Sequence, residues 1–293
     1  MQPFQEPIVF FTLGLIGLTC WLSYKGFKSE LFVQKYIFSP EYILAYKEWY
    51  RMVSAGFLHA NFPHLICNMV TLYLFGSDLE LLLGPLPFLL IYFGSIVGGS
   101  LLSLWLHRHH QYFAYGASGG VCGVLFAHIF LFPGGSISMF LLPIWIPTWL
   151  YAILFVVGSF YGIKRQSDNI GHDAHLGGAI AGLACATLLR PAIVTYNLPL
   201  YLAVSIGCLG ILVYLAKVPF LGSNRKKTTH KTVFKFVTRQ PAEKKYNVDE
   251  LLDKISARGI DSLTPEEQKF LSSVSEKFRR RAASKKPESD LYF

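Results

Sequence analysis

Apolar residues run along this chain in long blocks broken by short polar stretches, a pattern unlike the narrow apolar stripe of a helix on a water-soluble core. Crossing the hydrocarbon of a bilayer takes about 20 mostly apolar residues in helical form. Stretches at 8–24, 63–83, 86–106, 117–132, 137–163, 171–190 and 198–216 meet or approach that length, so seven spans are expected. Pro143 and Pro147 blur the fifth, and the fourth is short and opens in a glycine-rich turn, Gly116-Ala117-Ser118-Gly119-Gly120. The connection 25–62 between the first two is only half polar and carries Phe27, Leu31, Phe32, Tyr36, Ile37, Tyr42, Trp49 and Tyr50. So many amphipathic rings predict a segment lying in the membrane interface.

Past residue 216 the grammar changes. Asn247 is placed to cap a helix whose Val248, Leu251, Leu252 and Ile255 follow helical spacing, and Gly259 to end it. Thr264 then caps a second helix, with Pro265 at its first position and Glu267 closing a capping box. Leu271, Val274 and Phe278 continue an apolar stripe. The expected organisation is a membrane core over 1–195, an extra transmembrane helix within 196–220, and a tail over 221–293 with a short helical pair at about 247–284.

Composition agrees with a membrane body. The chain is 52% hydrophobic and 15% charged, against roughly 25% charged in soluble domains. Residues 1–216 hold nine Lys/Arg against eight Asp/Glu, a net +1, whereas 217–293 hold eighteen against ten, a net +8. That tail is read as a solvated extension or a segment drawn to anionic headgroups. No recognition module accompanies its charge, so nucleic acid is not an expected partner. Cys20, Cys67, Cys122, Cys185 and Cys208 sit in apolar runs and are read as small core residues, not a disulfide framework. The N-terminus lacks the basic start and cleavage site of a signal peptide, so 8–24 reads as a retained span.

Polar residues inside a bilayer are costly and face cavities or partners. Three spans carry informative ones. His64 and Asn68, four apart in the second, share a helical face; they are either interhelical glue or donors aimed into one site. Ser118 in Gly116-Ala117-Ser118-Gly119 opens the fourth, where first-turn amides are free to meet an oxyanion; a plain helix cap is the alternative. His175 in the sixth begins a stripe of small residues, Ala174, Gly178, Gly182 and Ala186, that matches Gly119, Gly123 and Ala127 behind Ser118. Small stripes let membrane helices approach almost backbone to backbone, which brings a serine and a histidine on separate helices within reach. The alternative is helix packing with His175 a satisfied buried group. His172 lies one turn before His175 but has no stripe behind it, and Asp168 and Asp173 read as caps or dipole partners of the first turn. The run His107-Arg108-His109-His110 lacks a matching ligand set and reads as a solvated loop, so no metal site is expected.

Taken in order, His-x-x-x-Asn, Gly-x-Ser-Gly and Ala-His-x-x-Gly-x-x-x-Gly, with Trp49-Tyr50-Arg51 and Gly56-Phe57-Leu58-His59 before them, resemble the rhomboid intramembrane proteases over about residues 1–190. The resemblance implies an all-α polytopic membrane fold, a six-helix core to which this chain adds a seventh helix and the helical tail. It implies Ser118 as nucleophile and His175 as general base. His64, Asn68 and the Ser118 amide would hold the oxyanion, and Gly116, Gly119, Gly178 and Gly182 would give structural support. Arg51 and His59 would be structural or lipid-facing supports. Transmembrane or membrane-adjacent segments of other proteins would be the substrates, with no cofactor. The aromatic that many members place four residues after the serine is Cys122 here, leaving Tyr161 or Phe155 to stack on His175. The other function classes weighed are an inactive rhomboid-like scaffold and a small transporter. The expected location is a multi-pass place in a bacterial cytoplasmic (inner) membrane. Loop charge and the resemblance disagree on orientation: basic residues gather on the side of the active-site mouth, which family precedent places outside.

Overall fold

The computed structural model describes residues 9–138, 145–165, 168, 170–217 and 248–283. They are overwhelmingly helical. The first apolar run forms α1 (Phe10–Lys28), ending in Lys25 and Lys28, whose charge suits a helix C-terminus. Three short helices follow, α2 (Glu30–Tyr36), α3 (Pro40–Tyr46) and α4 (Arg51–Ser54), then a 3-10 turn at Ala55–Phe57. Long helices α5 (Phe62–Leu83) and α6 (Pro85–His107) are separated by Gly84 alone, with Asn61 capping α5 through the His64 amide. The shorter α7 (Ser118–Leu131) is followed by α8 (Thr148–Arg165), α9 (His172–Leu189), α10 (Ile193–Tyr196) and α11 (Leu198–Lys217). The chain is therefore an all-α, multi-pass integral membrane protein; α5, α6 and α11 are each long and apolar enough to cross a membrane by themselves.

The fifth expected span is shorter than 137–163. Ser136–Ser138 and Trp145–Pro147 pair as antiparallel strands, β1 and β2, and the helix starts only at Thr148. Proline supplies no amide and blocks the turn before it, so Pro147 ends the strand and lets α8 begin.

Helices α6, α7 and α9 form the centre of the membrane body, and glycine is the reason. A methyl placed on Gly178 or Gly182 of α9 would overlap the backbone of Gly119 or Gly123 of α7. On the other flank, a methyl on Gly99 of α6 would come 2.5 Å from the Ala174 carbonyl, and one on Gly177 2.8 Å from the Gly98 carbonyl. Such contact gains dispersion and leaves no room for lipid. Phe88, Ile91, Tyr92, Phe126, Ile129 and Phe130 fill the space around it and are essentially inaccessible.

Helix α1 is tied down at two points, to α5 near its start and to the segment before α5 further along. Glu80, only 8% exposed, accepts the Phe11 and Thr12 amides and the Thr12 hydroxyl. It thus caps the N-terminus of α1 from a neighbouring helix, satisfying amides that hydrocarbon would leave stranded. At the other end Ser23 bonds into the region of His59.

The described residues fall into two compact units, one up to Lys217 and the other from Val248. The second contains α12 (Val248–Arg258), a 3-10 turn at Ile260–Ser262 and α13 (Pro265–Ala283). Leu251 and Leu263 are buried between them. The expected capping box is present: the Glu267 carboxylate takes the Thr264 amide at 2.8 Å, and the Glu267 amide donates to the Thr264 hydroxyl at 3.3 Å. The Lys254 ammonium, 2.8 Å from the same carboxylate, holds it below the usual carboxylate range. Asn247 and the boundary near residue 220 lie outside the described residues, as does the side chain of Phe278.

Candidate active site

The approach to Ser118 is set by backbone. Ala114 pairs with Phe38 of the first connection in an isolated bridge, and the Gly116 amide donates to the Ala55 carbonyl at 3.0 Å. Gly116 then turns at φ +149°, a conformation that suits glycine, and α7 starts two residues on. With Ala117 offering no side-chain cap, the amides of Ser118, Gly119 and Gly120 meet no acceptor among the described residues. As first-turn amides they are the groups of α7 free to meet an acceptor beside the serine.

His175 faces that serine from α9, its Nε2 lying 2.7 Å from the Ser118 Oγ. The distance follows from the packing below it: Gly178 against Gly119 and Gly182 against Gly123 bring the two helices close enough for short side chains to meet. His64 arrives from α5. A methyl on Gly116 would stand 2.9 Å from its Cε1, 3.2 Å from its Nε2 and 3.6 Å from the Ser118 Oγ. The imidazole edge and the hydroxyl therefore border one small space that a larger residue at 116 would fill. Ser118, His175, His64, Gly116, Gly119, Gly178 and Gly182 are thus brought together.

Asn68 is placed differently. Its Nδ2 bonds the His64 carbonyl at 3.1 Å and His59 Nε2 at 3.2 Å. The Ser23 hydroxyl donates its one proton to the Phe57 carbonyl, so it accepts from His59 Nδ1 at 2.9 Å. That assigns His59 the Nδ1–H tautomer and makes its Nε2 an acceptor, shared by Asn68 and the Ala117 amide at 3.4 Å. Both amide protons of Asn68 are engaged in holding this chain, and neither points at Ser118. His59 lies before α5, and burial keeps its ring neutral with its pKa lowered to about 3.

His59 and Arg51 both turn inward, so neither faces lipid. Arg51, 3% exposed, donates to the carbonyls of Gln34 and Ile37 at 2.8 Å each and to Glu48 at 2.6 Å, with its guanidinium over the Tyr42 and Tyr50 rings. It knits the first connection together at a distance from the serine. Among the described ring contacts His175 meets His172, with centroids 6.1 Å apart. Tyr161 instead stacks with Arg165 and Phe155 with Phe126 and Tyr151.

The histidine run also departs from expectation. His107 ends α6 and is buried, not solvated; it bonds Asp173 at 3.1 Å and His110 at 2.7 Å. Asp173 does lie in the first turn of α9, as a dipole partner would, but its carboxylate is directed into α6. Among the described residues no group of His, Cys, Asp and Glu has the geometry to hold a metal ion.

Comparison with known proteins agrees with this architecture. The family model "Rhomboid domain" matches residues 46–192, and a family of unknown function matches 238–277. Rhomboid protein 1, mitochondrial, of Saccharomyces cerevisiae is 30% identical over 164 residues, 53% of this chain and 47% of that protein. RHOMBOID-like protein 12, mitochondrial, of Arabidopsis thaliana is 29% identical over 160 residues, covering 47% of this chain and 46% of the relative. Rhomboid protease GluP of Bacillus subtilis is 30% identical over 147 residues, covering 50% of this chain and 27% of that protein. The chain thus spans about half the length of the two mitochondrial relatives and about a quarter of the third.

Proposed function

This chain belongs to the rhomboid family, and from that premise we propose that it is an intramembrane serine endopeptidase that cuts transmembrane or membrane-adjacent segments of other proteins with a Ser118–His175 dyad. The observation that carries the reading is the 2.7 Å contact between the two side chains, reached across helices whose sequences are otherwise small and apolar. A serine hydroxyl becomes a useful nucleophile when a neighbouring base takes its proton. His175 Nε2 accepts that proton as Oγ attacks the peptide carbonyl. The same nitrogen then returns it to the departing amine, leaving an acyl-serine that water releases by the reverse sequence. Negative charge developing on the carbonyl oxygen falls where the Ser118 amide and the His64 ring can meet it. Each such donor is worth on the order of a hundredfold in rate. Asn68 braces the His64 carbonyl and His59, and would reach the oxyanion only by exchanging one of these two bonds.

A substrate helix must open locally before it can be cut, since its peptide bonds are shielded by its own hydrogen bonds. Small or helix-breaking residues near the cut are therefore expected. A bacterial cytoplasmic (inner) membrane is the proposed location; of the relatives named above one is bacterial and two are mitochondrial.

The test is reaction of the detergent-purified protein with a fluorescent fluorophosphonate. Wild type is expected to label, and Ser118→Ala and His175→Ala are expected to stay dark. Equal labelling of all three, or of none, would overturn the dyad in favour of a rhomboid-like scaffold that binds membrane helices without cutting them.

A further inference from the structure

Two residues before His175, the same helix carries a buried carboxylate that the dyad mechanism leaves unused. Asp173 is 6% exposed and His107 4%. The carboxylate takes His107 Nε2 at 3.1 Å on one oxygen and the Tyr112 hydroxyl at 3.4 Å on the other. The His107 ring lies flat on Tyr112, with centroids 3.6 Å apart and planes 1° off parallel, and its Nδ1 meets His110 Nε2 at 2.7 Å. A helix dipole is satisfied by an exposed acid as well as a buried one. Burying a carboxylate at the end of a membrane helix costs free energy unless its partners are well placed, so the inward aim calls for a reason.

The packing of α9 supplies one. Its closest contacts with α6 and α7 are between small residues and backbone: Gly98 and Ala181, Gly177 and Gly98, Gly178 and Gly119, Gly182 and Gly123, with Leu102 and Cys185 as the larger side chains beside them. Apolar packing of this kind, including the buried Leu176 and Leu183, fixes how close the helices come but is not directional. A slip of α9 by about 1 Å would take His175 Nε2 out of hydrogen-bonding range of the Ser118 hydroxyl, now 2.7 Å away. The directional bonds at its mouth end are those of His107 and Tyr112 to Asp173, with Asp168 and His172 facing the opposite flank at 3.1 Å and packing on Gly162 of α8.

Resting on the dyad reading, we infer that Asp173, His107 and Tyr112 form a positioning unit that sets the register of α9 and thereby holds His175 Nε2 on the Ser118 hydroxyl. The unit touches no substrate and acts through the base.

The experiment follows fluorophosphonate labelling of the full chain as a function of probe concentration, which separates the maximal rate of modification from probe affinity. Melting temperature is read on the same samples. Variants are Asp173→Asn, His107→Leu, His107→Gln, which keeps a donor near Nε2, and the double variant His107→Leu/Asp173→Asn. The expected result is a maximal rate lowered at least about tenfold in Asp173→Asn and His107→Leu, since misplacing a base by about 1 Å can cost on the order of a hundredfold. Affinity should be unchanged, His107→Gln should recover to within about threefold of wild type, and the double variant should be no slower than the slower single one. Should His107→Leu fail to fold, the near-isosteric Asp173→Asn and His107→Gln carry the comparison. Wild-type rates in these variants, or losses that follow melting temperature alone, overturn the positioning unit while Ser118-dependent labelling of wild type keeps the dyad. Absence of labelling in wild type overturns the dyad first, and the inference with it.

Discussion

Neighbouring polar residues on one helix face carry different duties here, and the difference is visible in where their protons go. His64 and Asn68 stand one turn apart, yet His64 presents its ring to the space beside Ser118 while Asn68 spends its amide on His59 and the His64 carbonyl. Losing Asn68 leaves the buried His59 Nε2 with only the Ala117 amide at 3.4 Å and removes the side-chain bond to the His64 carbonyl near the start of α5. A buried group left without its partner costs about 1–3 kcal/mol. Asn68→Ala should therefore lower the melting temperature of the purified protein clearly while retaining a measurable part of the labelling rate. His64→Ala should do the reverse, cutting the labelling rate by on the order of a hundredfold with little change in melting. Matched losses of rate in both variants would show that Asn68 turns to the oxyanion during reaction. Gly116 makes a sharper case. Its φ of +149° and the 2.9 Å approach to His64 leave no place for a methyl, so Gly116→Ala should abolish labelling even where the fold survives. Sequence reading found both histidines and the serine, because a polar residue in an apolar run is conspicuous. It could not divide labour between His64 and Asn68, since spacing fixes the face of a helix and not the direction of an amide.

Between elements, the small stripes were legible and their partners only partly so. Gly119, Gly123, Gly178 and Gly182 stand out as four-residue repeats, and they do bring α7 and α9 into backbone contact. Gly94, Gly98 and Gly99 of α6 are just as plain in Phe93-Gly94-Ser95-Ile96-Val97-Gly98-Gly99, and their contacts with Cys185, Ala181 and Ala174 complete the three-helix centre. The pairing of β1 with β2 was hidden even though Pro143 and Pro147 blur that run, because an apolar run of that length reads first as helix. His107 was hidden for another reason. A histidine in a polar cluster reads as solvated, and its partner is 66 residues away. The glycine contacts yield a strong expectation. Inserting extra methylenes into a packed core costs typically about 1–3 kcal/mol, and Gly178 meets backbone, which has no rotamer to yield. Gly178→Val should thus separate α7 from α9, lowering the melting temperature and eliminating labelling together. The same change at Gly14 or Gly17 of α1, with nothing within 4 Å, should be silent in both. Normal labelling in Gly178→Val would mean that the helices can repack without their closest contact.

Across the membrane body, the path of the chain decides which ends share a face. Helix α7 runs away from the Ser118 end, and α8 returns toward it. Near its start α11 meets the far ends of α7 and α9, through Tyr201 against Phe130 and against the Thr187 hydroxyl at 2.9 Å. Further along, Gly207 lies by Val156 and Tyr214 by Phe160, so α11 climbs parallel to α8. Its length and hydropathy suffice for a full crossing. Lys217 therefore emerges on the face that carries Arg108, Lys164 and Arg165, opposite Arg190. With Lys217 on the mouth side, the charge asymmetry already present in the first 216 residues grows by one. In a functional protein without its native cysteines, single cysteines introduced at Arg108 and Lys217 should react with an impermeant maleimide from the same side of sealed vesicles, and one at Arg190 from the other. The reactive face of intact cells then gives orientation directly: labelling of Arg108→Cys and Lys217→Cys from outside follows family precedent, and from inside follows the loop charge. Labelling of Lys217→Cys together with Arg190→Cys would mean that α11 turns back within the bilayer instead of crossing it.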